Sequence, residues 1–418
     1  MIETIDALLA FLAAAALAWV LVPVAESLAW KIGAIDRPRD RSLHLSPTPK
    51  LSGAAILVAV LISGAIFLPW NEETRAILIG AAAVAAVGVV DDVWDLPPLV
   101  KLLGQTAAAI IPVQAGVTVD EFTLPFVGGV DLQGTKLIGA DLPVLGKVDA
   151  GEVLTVVGIV AMANVVNLID GVDGLAAGVC VISAATLAIV ALSLDRNPAG
   201  VLAAITAGGA LGFLRHGFPP ASSFMGDTGS NLLGYLLAVA AVQGALKTNA
   251  VVALAFPMLV LAVPILDTGF VIAKRLKYKR KIYEADAWHF HHRMANIGFS
   301  QRRTLAYLYG WTLVMACVAL ALRFIPYSDD RGNFDAGLTI LMVAILIAGL
   351  AASFYVIYVL EILKLRRFRQ RQVGEAVPPE EVDREVEREL ETGRFREPDP
   401  ETGEFGAIRP DDPPNPTE

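Results

Sequence analysis

The sequence predicts an all-α polytopic membrane bundle of about eleven transmembrane helices, with the N-terminus outside. Three observations lead there. Hydrophobic residues make up 55% of the 418 and charged ones only 18%, against roughly 45–50% and 25% in soluble domains. The apolar residues gather into runs of about 18 or more, the length that crosses a bilayer as a helix. Basic residues concentrate in alternate connections, as they do in cytoplasmic loops.

Taken in order, the runs lie near residues 4–24, 52–70, 75–91, 99–118, 152–169, 174–194, 199–214, 230–246, 249–273, 303–323 and 337–362. The first has no basic stretch before it and leads straight into a basic loop, so it reads as a span rather than a cleaved signal. Alternating the spans puts loops 30–51, 91–98, 168–173, 215–229 and 274–302 on one side with the C-terminal tail. Lys31, Arg37, Arg39, Arg41, Lys50, Lys274, Arg275, Lys277, Lys279, Arg280 and Lys281 sit in those loops, and Arg366 and Arg367 precede the tail. That side is therefore assigned to the cytoplasm. Residues 1–370 form the membrane domain in this reading. Residues 371–418 form an acidic, Pro-rich tail too poor in apolar side chains to offset its chain entropy. The net charge of −9 is concentrated in that tail, and no nucleic-acid partner is expected. Cys180 and Cys317 fall in different spans with no metal or disulfide spacing.

Five clusters of titratable residues flanked by glycine or proline all fall on the cytoplasmic side: "DRPRDRSLH", "DDVWDLPP", "NVVNLIDGVDG", "FMGDTGS" and "AWHFHHR". In the third, Asn164, Asn167, Asp170 and Asp173 recur every three residues and form one drifting stripe on a helix. Unpartnered, such groups cost several kcal/mol each near a bilayer, so the stripe points to a site. Amide and carboxylate oxygens together suit a hard cation such as Mg²⁺. Asp91 and Asp92 end a span, where the helix macrodipole disfavours acids. They read either as solvated terminal residues or as a base or metal-ligand pair. Lys101 and Gln105 lie one turn apart on the next span; the lysine reads as a snorkelling end-residue or a phosphate contact. Asp227, followed by Ser230 and Asn231, opens a helix after a glycine, as an ordinary cap or as a phosphate and metal niche. His289, His291, His292 and Arg293 have no cysteine nearby and no zinc spacing, and suit an anion-binding loop. His44 lies in a basic loop that serves topology or phosphate binding equally well. Carboxylates, a divalent cation and cationic donors at a membrane surface, with no Walker or kinase glycine loop, suggest phosphoryl transfer to a substrate held in the bilayer.

"DDVWDL", "NVVNLIDGVDGLAAG", "FMGDTGS" and "HFHHR" resemble, in order and spacing, the polyprenyl-phosphate N-acetylhexosamine-1-phosphate transferases, over roughly residues 5–325. That family includes the initiators of enterobacterial common antigen and teichoic acid and the phospho-MurNAc-pentapeptide translocase. The resemblance implies a multi-pass protein of the bacterial plasma membrane. It also implies transfer of a sugar 1-phosphate from a UDP-N-acetylhexosamine to a polyprenyl phosphate, releasing UMP with Mg²⁺ (Mn²⁺ substituting). By the same resemblance Asp91 and Asp92 are the catalytic aspartates, and Asp227 and Asn167 hold the metal. Asp173 contacts uracil, with Asp170 and Asn164 beside the nucleotide sugar, and Lys101 binds phosphate. The loop of His289, His291, His292 and Arg293 covers the pyrophosphate, with His44 as a further candidate. The His-x-His-His-Arg pattern and "IGFSQRR" resemble the GlcNAc-1-phosphate initiators; the translocase usually has three consecutive histidines. Two departures stand out: Lys50 where arginine is common, and Ser52 for the first of two glycines. A homodimer is compatible with the family. The rival classes are a secondary transporter, which would place its acids near the bilayer midplane, and a scaffold, which leaves the polar stripe unexplained.

Overall fold

The computed structural model describes residues 2–37, 47–245 (apart from 120, 125–127, 133–135 and 143–145), 265–266, 268–269, 272, 300–326 and 335–373. Its framework is ten helices among the described residues. They are α1 (Ile2–Ile32), α2 (Gly53–Phe67), α3 (Glu72–Trp94), α4 (Pro98–Gln114) and α5 (Ala150–Ile169), followed by α6 (Leu175–Ser193), α7 (Asn197–Gly217), α8 (Gly226–Ala245), α9 (Gln301–Phe324) and α10 (Ala336–Val373). Each coincides with one predicted apolar run; the run at 249–273 falls almost wholly outside the described residues. Seven of the helices are long and apolar enough to cross a membrane. At about 1.5 Å per residue the 23 residues of α3 reach roughly 35 Å. The all-α polytopic expectation therefore holds. The tail boundary expected at 370 falls inside α10, and residues 374–418 lie outside the described residues.

Local chemistry sets the helix ends. Asn71 accepts the Thr74 N–H at 2.8 Å to cap α3. At its other end α3 stops where Asp95 turns left-handed (φ 49°), and Pro97 and Pro98 restart the chain as α4. Glu152 accepts the Asp149 N–H at 3.0 Å at the start of α5.

Helix packing follows side-chain size. On α1 the buried positions are small: Ala10, Ala14, Ala18 and Ala29 are fully enclosed. Ala14 and Ala18 face α7 where Gly208 and Gly212, four residues apart, bring the backbones together, whereas Ala29 packs with Ala34 and Leu51; a Cβ at either glycine would drive into the carbonyl oxygen of Phe11 or Ala15. The central pillar is α8, which packs against α2, α3, α5, α6 and α7. Leu232, Leu233, Tyr235, Leu236, Leu237 and Val239 on it have no exposed surface, as an all-round apolar helix requires. The periphery carries the lipid-type face: Leu8, Trp19 and Val20 of α1 and Ile340 and Ile347 of α10 are open.

The 119–151 connection, between the fourth and fifth apolar runs, contains two antiparallel hairpins. Strand β3 (Glu121–Leu124) pairs with β4 (Gly128–Asp131), and β5 (Lys136–Leu142) with β6 (Gly146–Asp149). Their period-two patterns are only four to seven residues long and are overshadowed by the neighbouring runs of twenty. Two-residue strands β1 (Ile35–Asp36) and β2 (Thr48–Pro49) precede them in the chain. By contact the chain divides into Met1–Asp286 with Gln301–Gly349, and Ala287–Ser300 with Leu350–Glu418.

Candidate active site

The connections α1–α2, α3–α4, α5–α6 and α7–α8 come together at one end of the bundle. There the segment after β2 is laced to the approach to α8: Phe224 N–H donates to Pro49 O at 2.8 Å and Gly53 N–H to Met225 O at 3.0 Å. Ser52 is fully buried with its hydroxyl 2.5 Å from that of Ser223, which also reaches Pro49 O at 3.1 Å. The serine that departs from the family's glycine thus makes a bond a glycine lacks.

Asp91 and Asp92 are neighbours in sequence with separate partners in space. Asp92, only 5% exposed, reaches across to the first turn of α8. It accepts Asp227 N–H at 2.9 Å, Thr228 N–H at 3.0 Å and the Thr228 hydroxyl at 2.7 Å. A carboxylate lent by α3 therefore caps α8, and the negative charge meets the positive end of a helix dipole. Gly226 makes room for it: its φ is +66°, and a Cβ there would collide with both Asp92 carboxylate oxygens and Lys50 O. Asp91 turns the other way. Its Oδ1 accepts Leu96 N–H at 2.7 Å and its Oδ2 lies 3.1 Å from Lys101 Nζ.

Lys101 in the first turn of α4 is the hub of an upper polar layer. Its ammonium contacts Asp91 Oδ2, Asp227 Oδ2 and, at 3.4 Å, Asn167 Oδ1. Asn167 donates through Nδ2 to Asp227 Oδ1 and to Ser230 Oγ, each at 2.9 Å. One turn deeper lies an amide layer from α4, α5 and α8. Asn164 Nδ2 donates to Gln105 Oε1 at 2.7 Å and to Val160 O at 2.8 Å, and Gln105 Nε2 donates to Asn231 Oδ1 at 3.0 Å. The Val160 carbonyl fixes the direction of this chain, so Asn231, fully buried, ends it with an unpartnered Nδ2. The pairs Lys101/Gln105, Asn167/Asn164 and Asp227/Asn231 are each one turn apart, so two layers follow directly from helical spacing. Asn164, expected beside the nucleotide sugar, is instead held in the lower layer by Gln105 and Val160.

Asp170 ends α5. Its surroundings, and then the charges of Asp227, Asp92 and Asp173, push its carboxyl well above the usual carboxylate range. Asp173 accepts Ala221 N–H at 3.1 Å and so joins the α5–α6 and α7–α8 loops. From α9, Tyr309 donates to Gly174 O at 2.6 Å and Arg302 to Pro219 O at 3.3 Å, bracing both loops. His44, His289, His291, His292 and Arg293 lie outside the described residues. Among those described, no group of three or more His, Cys, Asp or Glu side chains is set to hold a metal. The convergent oxygens come instead from two carboxylates and one amide. Sequence reading passed over Thr228, Tyr309 and the cross-helix cap at Asp92. A threonine after an aspartate and a tyrosine in an apolar run carry no local signal of a partner far along the chain.

A polytopic helix bundle with acids, amides and one lysine gathered at one end defines a membrane-embedded transferase class, and the comparisons agree. The family model described as Glycosyl transferase family 4 matches residues 74–245. The chain is 35% identical over 306 residues to the "Probable undecaprenyl-phosphate N-acetylglucosaminyl 1-phosphate transferase" of Bacillus subtilis, covering 73% of this chain and 81% of that one. It is 33% identical over 354 residues to the "Decaprenyl-phosphate N-acetylglucosaminephosphotransferase" of Mycobacterium tuberculosis, covering 78% and 82%. The "Phospho-N-acetylmuramoyl-pentapeptide-transferase" of Desulforudis audaxviator is 30% identical over 335 residues, covering 75% and 95%. The chain belongs to glycosyl transferase family 4, the polyprenyl-phosphate sugar-phosphate transferases, and is a multi-pass membrane phosphotransferase.

Proposed function

We propose that this enzyme transfers GlcNAc 1-phosphate from UDP-GlcNAc to undecaprenyl or another polyprenyl phosphate on the cytoplasmic face of the bacterial plasma membrane. A lipid-phosphate oxygen attacks the phosphorus that bears the sugar, the bond to UMP breaks, and a pyrophosphate-linked lipid sugar forms to start an envelope polysaccharide. The observation that carries this reading is the upper polar layer, where four helices bring Asp91, Lys101, Asn167 and Asp227 to one point. Two carboxylates and an amide oxygen form a donor set that Mg²⁺ takes while keeping sites for waters and phosphate oxygens, so the residues fit that ion. When bound, the ion supplies charge neutralisation to the transferring phosphoryl group.

The chain's own groups have distinct tasks. Asp91, with one oxygen held by Leu96, accepts or orients the proton of the incoming lipid phosphate. Asp92 holds the start of α8, and with it Asp227, in place. Lys101 reaches phosphate oxygens, and Asp170 and Asp173 border the nucleotide. The family resemblance adds His289, His291, His292 and Arg293, with His44, as candidate phosphate contacts outside the described residues. UMP release from purified protein given UDP-GlcNAc, undecaprenyl phosphate and Mg²⁺ tests the proposal. Release that requires both lipid phosphate and metal supports it. Release only with UDP-MurNAc-pentapeptide would move the enzyme to the translocase reaction, and none with any UDP-N-acetylhexosamine would overturn transfer itself.

A further inference from the structure

We infer that the Lys101 ammonium is a built-in placeholder for the divalent cation: it fills the oxygen cage when the cage holds no metal, and metal entry expels it toward the substrate phosphates. This rests on the metal-dependent reading above. Three oxygens from three helices converge on one nitrogen: Asp91 Oδ2 at 3.1 Å, Asn167 Oδ1 at 3.4 Å and Asp227 Oδ2. Each of these groups is oriented by its other polar atom. Asp91 Oδ1 takes Leu96 N–H, Asp227 Oδ1 takes the Asn167 amide, and Asn167 Nδ2 reaches Ser230 as well. The cage therefore keeps its shape when the ammonium leaves: the amide layer beneath it ties α4, α5 and α8 together, and Asp92 ties α3 to the start of α8.

The lysine is not held there by its own helix. It stands in the first turn of α4, after Pro98, where the helix dipole disfavours a cation. The carboxylates keep it in place, and its four-carbon stem allows the charge to move without the backbone. An ammonium with three donors and a hard dication want the same oxygens, and two cations cannot share them. Occupied by Lys101, the facing carboxylates are spared mutual repulsion. Once displaced, the same charge becomes free to meet a phosphate, so metal binding and phosphate capture are linked.

The test is Mn²⁺ binding to the purified full-length chain, followed by electron paramagnetic resonance without substrate. With the competing charge removed, Lys101→Met should bind Mn²⁺ at least about tenfold more tightly than wild type, although its transfer rate falls. Asp227→Asn should lose the tight site and so identifies which binding is read. Lys101→Gln is measured in parallel, in case the methionine variant does not fold. In the wild type, amine-reactive labelling of Lys101, read by mass spectrometry, should accelerate in saturating Mn²⁺ relative to EDTA. Equal or weaker Mn²⁺ affinity in folded Lys101 variants, or labelling that Mn²⁺ does not change, would overturn the exchange and leave the metal site standing. Absence of tight Mn²⁺ binding in both wild type and variants would remove the metal reading, and the exchange with it.

Discussion

Replacing Asp92 with asparagine removes one charge and changes the stability of the fold more than the reacting groups. In the native site one carboxylate takes three donors from the start of α8: two N–H groups at 2.9 and 3.0 Å and a hydroxyl at 2.7 Å. Asparagine keeps one oxygen, which can still accept Asp227 N–H. Its NH₂ group then faces Thr228. The threonine hydroxyl can rotate to accept, but the Thr228 N–H is left pointing at another donor in a buried place. An unsatisfied buried donor costs about 1–3 kcal/mol, and the lost charge at a helix N-terminus about another 0.3–1 kcal/mol. The sum is about 1–4 kcal/mol, or a fall in Tm on the order of 2–5 °C for a chain of 418 residues. Asp91→Asn keeps its acceptor for Leu96 N–H and leaves the backbone at the start of α8 capped, giving up a partly buried ion pair with Lys101, so its Tm should fall less than that of Asp92→Asn while transfer collapses. Thermal unfolding of both variants in detergent, followed by tryptophan fluorescence and read beside UMP release, makes the comparison. An Asp92→Asn protein that unfolds at the wild-type temperature would refute the cap and return Asp92 to the reacting atoms.

Gln105→Leu should lower transfer by about 10–100-fold, because the buried Asn231 loses its partner and the helices bearing Lys101, Asn167 and Asp227 lose their common spacer; UMP release at saturating Mg²⁺ reads it. Tyr309→Phe removes the bond to Gly174 O and should raise KM for the UDP-sugar several-fold while kcat changes little, an outcome that steady-state kinetics will confirm or deny. Asp170→Asn should raise the Tm of metal-free protein at pH 8. A carboxyl pushed upward by its folded surroundings penalises the native state above its unfolded pKa, and that penalty disappears once both states are protonated, so the gain should shrink as pH falls and vanish near about pH 3. A Tm gain that persists at about pH 3 would show that proton linkage is not its source.

The bundle was readable because a bilayer demands one thing of every span: a long apolar run with all backbone groups bonded internally. Hence α1 to α10 lie where the runs lie, including α2, only 15 residues long. The polar residues from Asn164 to Asp173 were equally legible as a site, since they had no place on a lipid-facing helix, but the single helical stripe was not what formed: α5 ends at Ile169, and Asp170 and Asp173 stand beyond it in the turn. Which way each group turns was not legible. Asp91 and Asp92 look like a pair on paper, but adjacent helical positions diverge by about 100°, and the structure sends one to α4 and the other to α8. Asn164 and Asn167 share a face yet end in different layers, a distinction made by Gln105 and Asp227 on other helices. Gly208 and Gly212 reveal their purpose only beside Phe11 and Ala15 of α1, nearly two hundred residues earlier.

The lent cap on α8 has a consequence for how the protein is made. Synthesis runs from the N-terminus, so α3, α4 and α5 are finished before α8 exists. Until then Asp92 and Gln105 lack the partners that Thr228 and Asn231 later supply. Polar groups waiting in an apolar surrounding attract a helix that can satisfy them. The newly emerging α8 offers its bare N–H groups and Asn231 at the matching heights, so the features that shape the site also select the helix that completes it. A ribosome-bound chain ending before Gly226 would hold most of the polar residues and none of the site's order.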